Sequence, residues 1–220
     1  MTIKMTIVVL GLCGVLAACN MRASSPNALD NMDLQALIDQ VPVDKESVVI
    51  IPAGRHVLKK GLRIENRRDL LLMVPAGAEI LVDDVDANVV EIVNCSGVTI
   101  DGGAFQHIKP LSSYECHGSV LNIRDSQKIV VRHAILNGCG AIGVDGGNVN
   151  GLTIQSCAIT NNTFNAIYLN NCQEVRLWDN IIENNANMLQ AYKLDDIEAS
   201  GNLIRNNGGY WRKPAVRSGP

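Results

Sequence analysis

One short apolar run returns at a nearly constant interval, and this spacing constrains the fold more than any other feature of the chain. Ile129-Val130-Val131 is answered by Leu152-Thr153-Ile154, Val175-Arg176-Leu177 and Ile197-Glu198-Ala199, at steps of 23, 23 and 22 residues. A second element follows each run at similar distance: Ala134-Ile135, Ala158-Ile159, Ile181-Ile182 and Leu203-Ile204. Polar corners come next, at Asn137, Asn161-Asn162, Asn184-Asn185 and Asn206-Asn207. Ala141-Ile142-Gly143-Val144 and Ala166-Ile167-Tyr168-Leu169 supply a third element in two of the units. Three short strands in a coil of about 22 residues are the unit of a parallel β-helix, in which each coil buries its apolar face only by stacking on the next.

The chemistry of the repeat agrees with that architecture. Corners stacked ~4.8 Å apart allow Asn amides to hydrogen-bond along the stack. Asn also tolerates the left-handed backbone of a sharp corner. The β-branched residues suit a narrow pleated core. Only 4% of the chain is aromatic, too little for a compact sandwich or bundle of 220 residues but sufficient for stacked coils. A leucine-rich repeat of similar period would show regular Leu and helical segments, and neither is present. Upstream coils begin at Val98-Thr99-Ile100, at Leu70 to Ile80 and at Val48 to Leu58, and residues 109–117 are inserted in the coil that returns at Ser119-Val120-Leu121-Asn122-Ile123. The expected fold is all-β, a parallel β-helix of about seven coils over residues 32–209. Met32 to Gln40, with apolar residues at helical spacing, predicts a short N-terminal helix capping the open first coil. Residues 210–220, beginning Tyr210-Trp211, read as a C-terminal tail laid over the last coil.

The N-terminus reads as a leader. Lys4 precedes an apolar stretch from Ile7 to Ala18, too short for a helix across a ~30 Å hydrocarbon core but suited to a signal segment. Residues 1–18 are therefore expected to be a signal peptide and 19–31, rich in Ser, Asn, Ala and Pro, a flexible tether. The formal charge of −3 includes Lys4, the sole charge before Cys19, so the chain from Cys19 onward carries −4. No basic stripe interleaved with aromatics is present, which argues against a nucleic-acid partner.

Two resemblances follow. Leu16-Ala17-Ala18-Cys19 resembles the lipobox of bacterial lipoproteins, which implies acylation of Cys19 and anchoring in a membrane by more than one acyl chain. Asn20 in place of Asp beside Cys19 implies the outer membrane, facing the periplasm. The helix with Ile51-Pro52-Ala53-Gly54-Arg55, together with the coils from Leu34 to Gly208, resembles the right-handed β-helix repeat family with the pectin-lyase-like fold. That resemblance implies a right-handed helix with a groove along the strand after the Asn-rich corner: Val89 to Val93, Ser119 to Arg124, Ala141 to Asp145, Ala166 to Asn170 and Ala191 to Leu194.

Strand alternation, with Ile142 and Val144 inward, turns Gly143 and Asp145 outward. The same register exposes Glu91, Asn122, Arg124, Tyr168, Asn170 and Lys193, a stripe with the composition of a sugar groove. In the inserted loop, His107, Tyr114, Glu115 and His117 are expected to overhang it. His117, Arg124, Asp145 and Tyr168 are candidates for catalysis, with a loop His or Tyr as base and Arg124 neutralising a uronate. The paired-Asp and Gly-His-Gly motifs of polygalacturonases and the Asp-Pro-His motif of alginate epimerases are absent. The leading expectation is accordingly a polysaccharide- or partner-binding envelope protein, and the alternative a polysaccharide lyase or glycoside hydrolase acting on acidic glycan.

Asp101-Gly102-Gly103 and Asp145-Gly146-Gly147 lack the repeat of calcium-binding turns and read as corner glycines, so no metal is expected, and no cofactor motif is present. Five cysteines remain beyond Cys19: Cys95, Cys116, Cys139, Cys157 and Cys172. Cys116 and Cys139 precede the same strand in adjacent coils, close enough for a disulfide pinning the inserted loop. Cys95 and Cys172 share a position three coils apart, and Cys157 reads as inward. Oligomeric state is not encoded in these features.

Overall fold

The computed structural model describes residues 6–7, 33–108, 117–138 and 141–208. Each coil has three faces. The first begins with β2 (Ser47–Ile50), the second with β3 (Gly54–Leu58) and the third with β4 (Leu62–Glu65). The next coils are β5 (Leu70–Val82) with β6 (Val90–Val93), then β7 (Thr99–His107) running into β8 (Leu121–Arg132). Later coils are built from β9 (Ile135–Asn137), β10 (Ile142–Gln155), β11 (Ala158–Thr160), β12 (Asn165–Trp178), β13 (Ile181–Glu183), β14 (Asn187–Ser200) and β15 (Leu203–Arg205). Every pairing between strands is parallel, giving six full turns and the first two faces of a seventh. The expected all-β helix of about seven coils is the observed architecture. A two-residue strand, β1 (Thr6–Ile7), pairs with Ser47 and Val48 on the first coil.

Strands β8, β10, β12 and β14 are long because the third face of one coil continues through a corner into the first face of the next. Two left-handed residues make each of these corners: Asp125 and Lys128, Asn148 and Gly151, Asn171 and Glu174, Lys193 and Asp196. Between them one residue turns inward, giving the column Cys95, Ser126, Val149, Cys172, so Cys95 and Cys172 are separated by two intervening coils and stay free. Burial raises the thiol pKa of all three described cysteines, and pushes Cys157 up to about 11. Cys116, Cys139 and Cys19 lie outside the described residues, as do Tyr114, Glu115 and the 210–220 tail.

The core is three columns of aligned apolar side chains, aliphatic except for Phe105. Leu72, Ile100, Val131, Ile154 and Leu177 stack on the first face, and Ile80, Phe105, Leu136, Ile159 and Ile182 on the second. On the third, Leu62, Val90, Leu121, Val144 and Ile167 align, all fully or almost fully buried. Asn ladders occupy two inner corners. Asn162 donates to Asn185 at 2.8 Å and Asn185 to Asn207 at 2.9 Å, while Asn180 donates to Asn202 at 3.0 Å. Outer amides also align, Asn171 to Asn148 at 2.9 Å and Asn148 to Asp125 at 2.8 Å.

The cap is α1 (Leu34–Asp39), N-capped by Asp33, which accepts from Ala36 N at 3.2 Å. Leu34 and Ile38 close the end of the core with no exposure. Gln35 stands in for the missing coil: its Nε2 donates to Arg63 O at 2.8 Å and its Oε1 accepts from Arg63 N at 2.8 Å. An otherwise open strand edge is thereby hydrogen-bonded by one side chain.

Candidate functional site: the third face

Two outward rows run along the third face. The first is Arg63, Glu91, Asn122, Asp145, Tyr168 and Gln190; the second is Glu65, Val93, Arg124, Gly147, Asn170 and Tyr192. Six of the seven expected groove residues are in these rows: Glu91, Asn122, Asp145 and Tyr168 in the first, Arg124 and Asn170 in the second.

Lys193 is not. The coil from β12 to β14 is one residue shorter than its predecessor, pairing Asn170 with Tyr192 rather than with Lys193. A one-residue slip exchanges the faces of a strand, and here it moves Lys193 to the left-handed corner at φ 50°. Tyr192 takes the outward place, 53% exposed. The 22-residue step from Val175 to Ile197 carries the shortening but not its place in the coil, which the structure puts between Asn185 and Asn187. Gly143 is a second correction. It is buried, and an added Cβ would lie 2.6 Å from Ile159 Cγ2.

The glycines split into two kinds. Gly102 and Gly103 are corner residues with φ of 86° and 82°. Gly146 and Gly147 lie on the third face just before the corner at Asn148 and have no left-handed φ, which corrects their reading as a corner. Gly146 faces inward beneath Leu169. Gly147 faces outward and provides the floor on which Arg124 lies, since an added Cβ would be 3.1 Å from Arg124 Cδ and 3.3 Å from Nη1. Lying there, Arg124 donates from Nη2 to Asp145 Oδ2 at 2.6 Å, and from Nη1 to the carbonyls of Asp145 at 2.9 Å and Ile123 at 3.0 Å. Asn122 Nδ2 approaches the same carboxylate oxygen at 3.4 Å. Asp145 Oδ1 is buried and has no hydrogen-bond partner. Asp101, next to the corner pair, is on the first face. Burial alone would raise its pKa, but hydrogen bonds from His133 (2.8 Å) and Arg132 (2.8 and 3.0 Å) outweigh that and hold it low.

At the capped end, Arg63 donates to Glu65 at 2.9 Å and to Glu91 at 2.6 Å. These bonds, Glu65 first, raise the Arg63 pKa, and the Arg63 hydrogen bond lowers that of Glu65. Asn88 donates to the other Glu91 oxygen at 2.6 Å and accepts from Ser119 N at 2.8 Å. This end of the row opens into a cleft of about 1120 Å³ between α1 and the 83–88 segment. The opposite end is aromatic. The Tyr168 and Tyr192 rings lie 6.0 Å apart with planes inclined at 58°, and Gln190 donates to the Tyr192 hydroxyl at 2.8 Å.

The histidines separate. His117 is exposed where the chain enters β8, with Nδ1 2.7 Å from Asp86 Oδ1, and belongs to neither row. His107 does not overhang the face. It is buried at 2% exposure, with Nε2 2.8 Å from Ala87 O, a contact that requires the proton on Nε2. Burial pushes its pKa down, against the smaller opposing effects of Ala87 and Asp84. His107 therefore positions the 83–88 segment and touches no open surface.

A parallel solenoid with one polar and aromatic outer face is the class of protein that this geometry defines. The family described as "right handed beta helix region" matches residues 80–212, and the chain belongs to it. No curated protein matches the sequence. Among solved structures, a "putative glycosyl hydrolase" from Parabacteroides merdae aligns with a TM-score of 0.54 at 11% identity, over 73% of this chain and 84% of that one. At such identity the likeness concerns the fold, and function is argued from the site.

Proposed function

We propose that the third face binds a polysaccharide, and that the protein does so as a lipid-anchored component of a bacterial envelope, held by acylated Cys19 at the outer membrane and facing the periplasm. The carrying observation is the alignment of Asn122, Arg124, Asp145, Tyr168, Asn170, Gln190 and Tyr192 on one face. Amide and carboxylate groups suited to hydroxyls sit beside open aromatic surface, the combination of a few placed polar groups with apolar contact that orients ligands. The anchor rests on Leu16-Ala17-Ala18-Cys19. Affinity electrophoresis of the detergent-solubilised full chain in gels containing polysaccharides tests the face. Retardation by at least one polymer, lost on Tyr168→Ala, is expected; free migration in every gel removes the reading. Radiolabelled palmitate incorporation, abolished by Cys19→Ala, tests the anchor.

Glycoside hydrolysis is the second reading, favoured by one observation. Glu91 and Asp145 share a row with Asn122 between them, two coil spacings or about 9.6 Å apart along the backbone. That is near the upper end of the carboxyl separation of inverting glycosidases, roughly 6.5–9.5 Å. Each carboxylate already gives an oxygen to an arginine at 2.6 Å, which places binding ahead of turnover. Mass spectrometry of polysaccharides after incubation decides between them: intact polymers accord with binding, and shortened chains establish an enzyme.

A further inference from the structure

We infer that the third face selects an uncharged polysaccharide, with sugar rings lying on Tyr168 and Tyr192 and hydroxyl groups meeting the Asn122, Asp145 and Gln190 side chains. The inference rests on the reading of this face as a glycan surface and assigns its substrate class.

The first support is the state of its cations. Two arginines stand in the outward rows against three carboxylates, and both are committed. Arg63 is held by Glu65 and Glu91, and Arg124 by Asp145 and two backbone carbonyls. A uronate or sulfate chain brings a negative charge with each unit or two, and would meet a face whose own charges sum to negative. Pairing an anion with Arg124 would strand Asp145, whose side chain is only 12% exposed, as an uncompensated buried charge. Lys193, the cation that would have changed this balance, belongs to the corner beside the rows.

Hydrogen-bonding character is the second support. Asp145 Oδ1 and Asn165 Oδ1, both on strands of this face, are buried acceptors without partners. Acceptors call for donors. Sugar hydroxyls donate, and each carboxylate or sulfate of an anionic chain stands where a neutral chain keeps a donor, so the neutral chain offers more of them. Both oxygens are closed to solvent, so they mark a face short of donors rather than direct contacts of the ligand.

The third support is the aromatic end. Tyr192 is 53% exposed and its ring is inclined to Tyr168 rather than stacked on it, which leaves apolar surface open one coil (Tyr168) and two coils (Tyr192) from Asp145. Contact of ring faces with C–H groups needs no charge on the ligand and is insensitive to salt.

The test uses detergent-solubilised full-length protein in affinity gels that pair neutral polymers (dextran, hydroxyethylcellulose, galactomannan) with anionic ones (dextran sulfate, carboxymethylcellulose, alginate, polygalacturonate). The expected result is retention by at least one neutral polymer, about tenfold stronger than by its anionic counterpart. That retention should be unchanged from about 50 to about 500 mM salt, where screening would abolish ionic binding. Tyr192→Ala should weaken it about tenfold, Tyr192→Phe should restore it, and Lys193→Ala should leave it intact. Stronger, salt-sensitive retention by the anionic polymers would overturn this inference while keeping the glycan surface. Retention by none would remove both.

Discussion

Arg124 lies across Gly147 to grip Asp145 in the adjacent coil, side chain to side chain at 2.6 Å and side chain to backbone at 2.9 Å. This contact organises the centre of the third face and is made possible by a missing side chain. Arg124→Ala should destabilise the protein by about 1–3 kcal/mol, because it leaves a carboxylate that is nearly buried without its cation. Gly147→Ala should act through the same contact by lifting the guanidinium, so its cost should shrink when Arg124 is already Ala. Urea denaturation of the two single variants and the double variant measures this. Strictly additive costs would show that the glycine serves some other purpose.

The inner Asn ladder should matter far more than the outer one. Asn185 accepts from Asn162 N (2.9 Å) and Nδ2 (2.8 Å), and donates to the carbonyls of Ile159 and Glu183 at 3.0 Å each. Asn185→Ala orphans several buried groups and should cost about 2–4 kcal/mol. Asn161, exposed and donating to Asn137 at 2.8 Å, loses on the same substitution that bond and an Asn suited to its left-handed φ of 58°, about 1 kcal/mol. Thermal unfolding of both variants checks the ranking, and equal shifts would contradict it.

His107 introduces a pH dependence whose sign follows from burial. Its folded pKa is depressed below 6.5, so the unfolded chain takes up a proton that the folded one refuses. Stability should be unaffected by this residue well above pH 6.5, and should decline as the pH falls from about 6.5 toward the depressed folded value. His107→Gln retains a donor for Ala87 O and should flatten this part of the profile. Urea midpoints at several pH values for wild type and variant give the comparison; parallel profiles would contradict it.

Lys193 holds a left-handed backbone at φ 50°, at the corner where earlier coils carry Asn171, Asn148 and Asp125. Lys193→Asn puts a residue tolerant of that conformation there and extends the outer amide ladder by one rung. It should stabilise the protein by about 0.5–1 kcal/mol. A lower urea midpoint would mean that the lysine makes a contribution beyond its corner.

Much of the molecule is legible from residue pattern alone. The spacing of Ile129, Leu152, Val175 and Ile197 defines the coil, and the β-branched columns and Asn corners follow from it, because stacking identical coils repeats the same local chemistry. The capping helix was legible from apolar spacing at Leu34, Leu37 and Ile38. What lay beyond pattern was lateral. Gln35 completing the edge of β4, and His107 turning inward to hold Ala87, depend on contacts between residues 28 and 20 positions apart.

The candidate face divides in the same way. The family resemblance pointed to the strand after the Asn-rich corner, and the sequence by itself placed Glu91, Asn122, Arg124, Asp145, Tyr168 and Asn170 outward on it, since alternation within a strand is a local property. Only the tertiary structure decided that Tyr192 and not Lys193 completes the stripe, that Arg124 is bound to Asp145 rather than free for an anion, and that Gly147 makes room for it. The physical reason is that register between coils is set by the length of each coil. A single residue more or less in one turn exchanges an outward lysine for an outward tyrosine, and local alternation carries no record of that length.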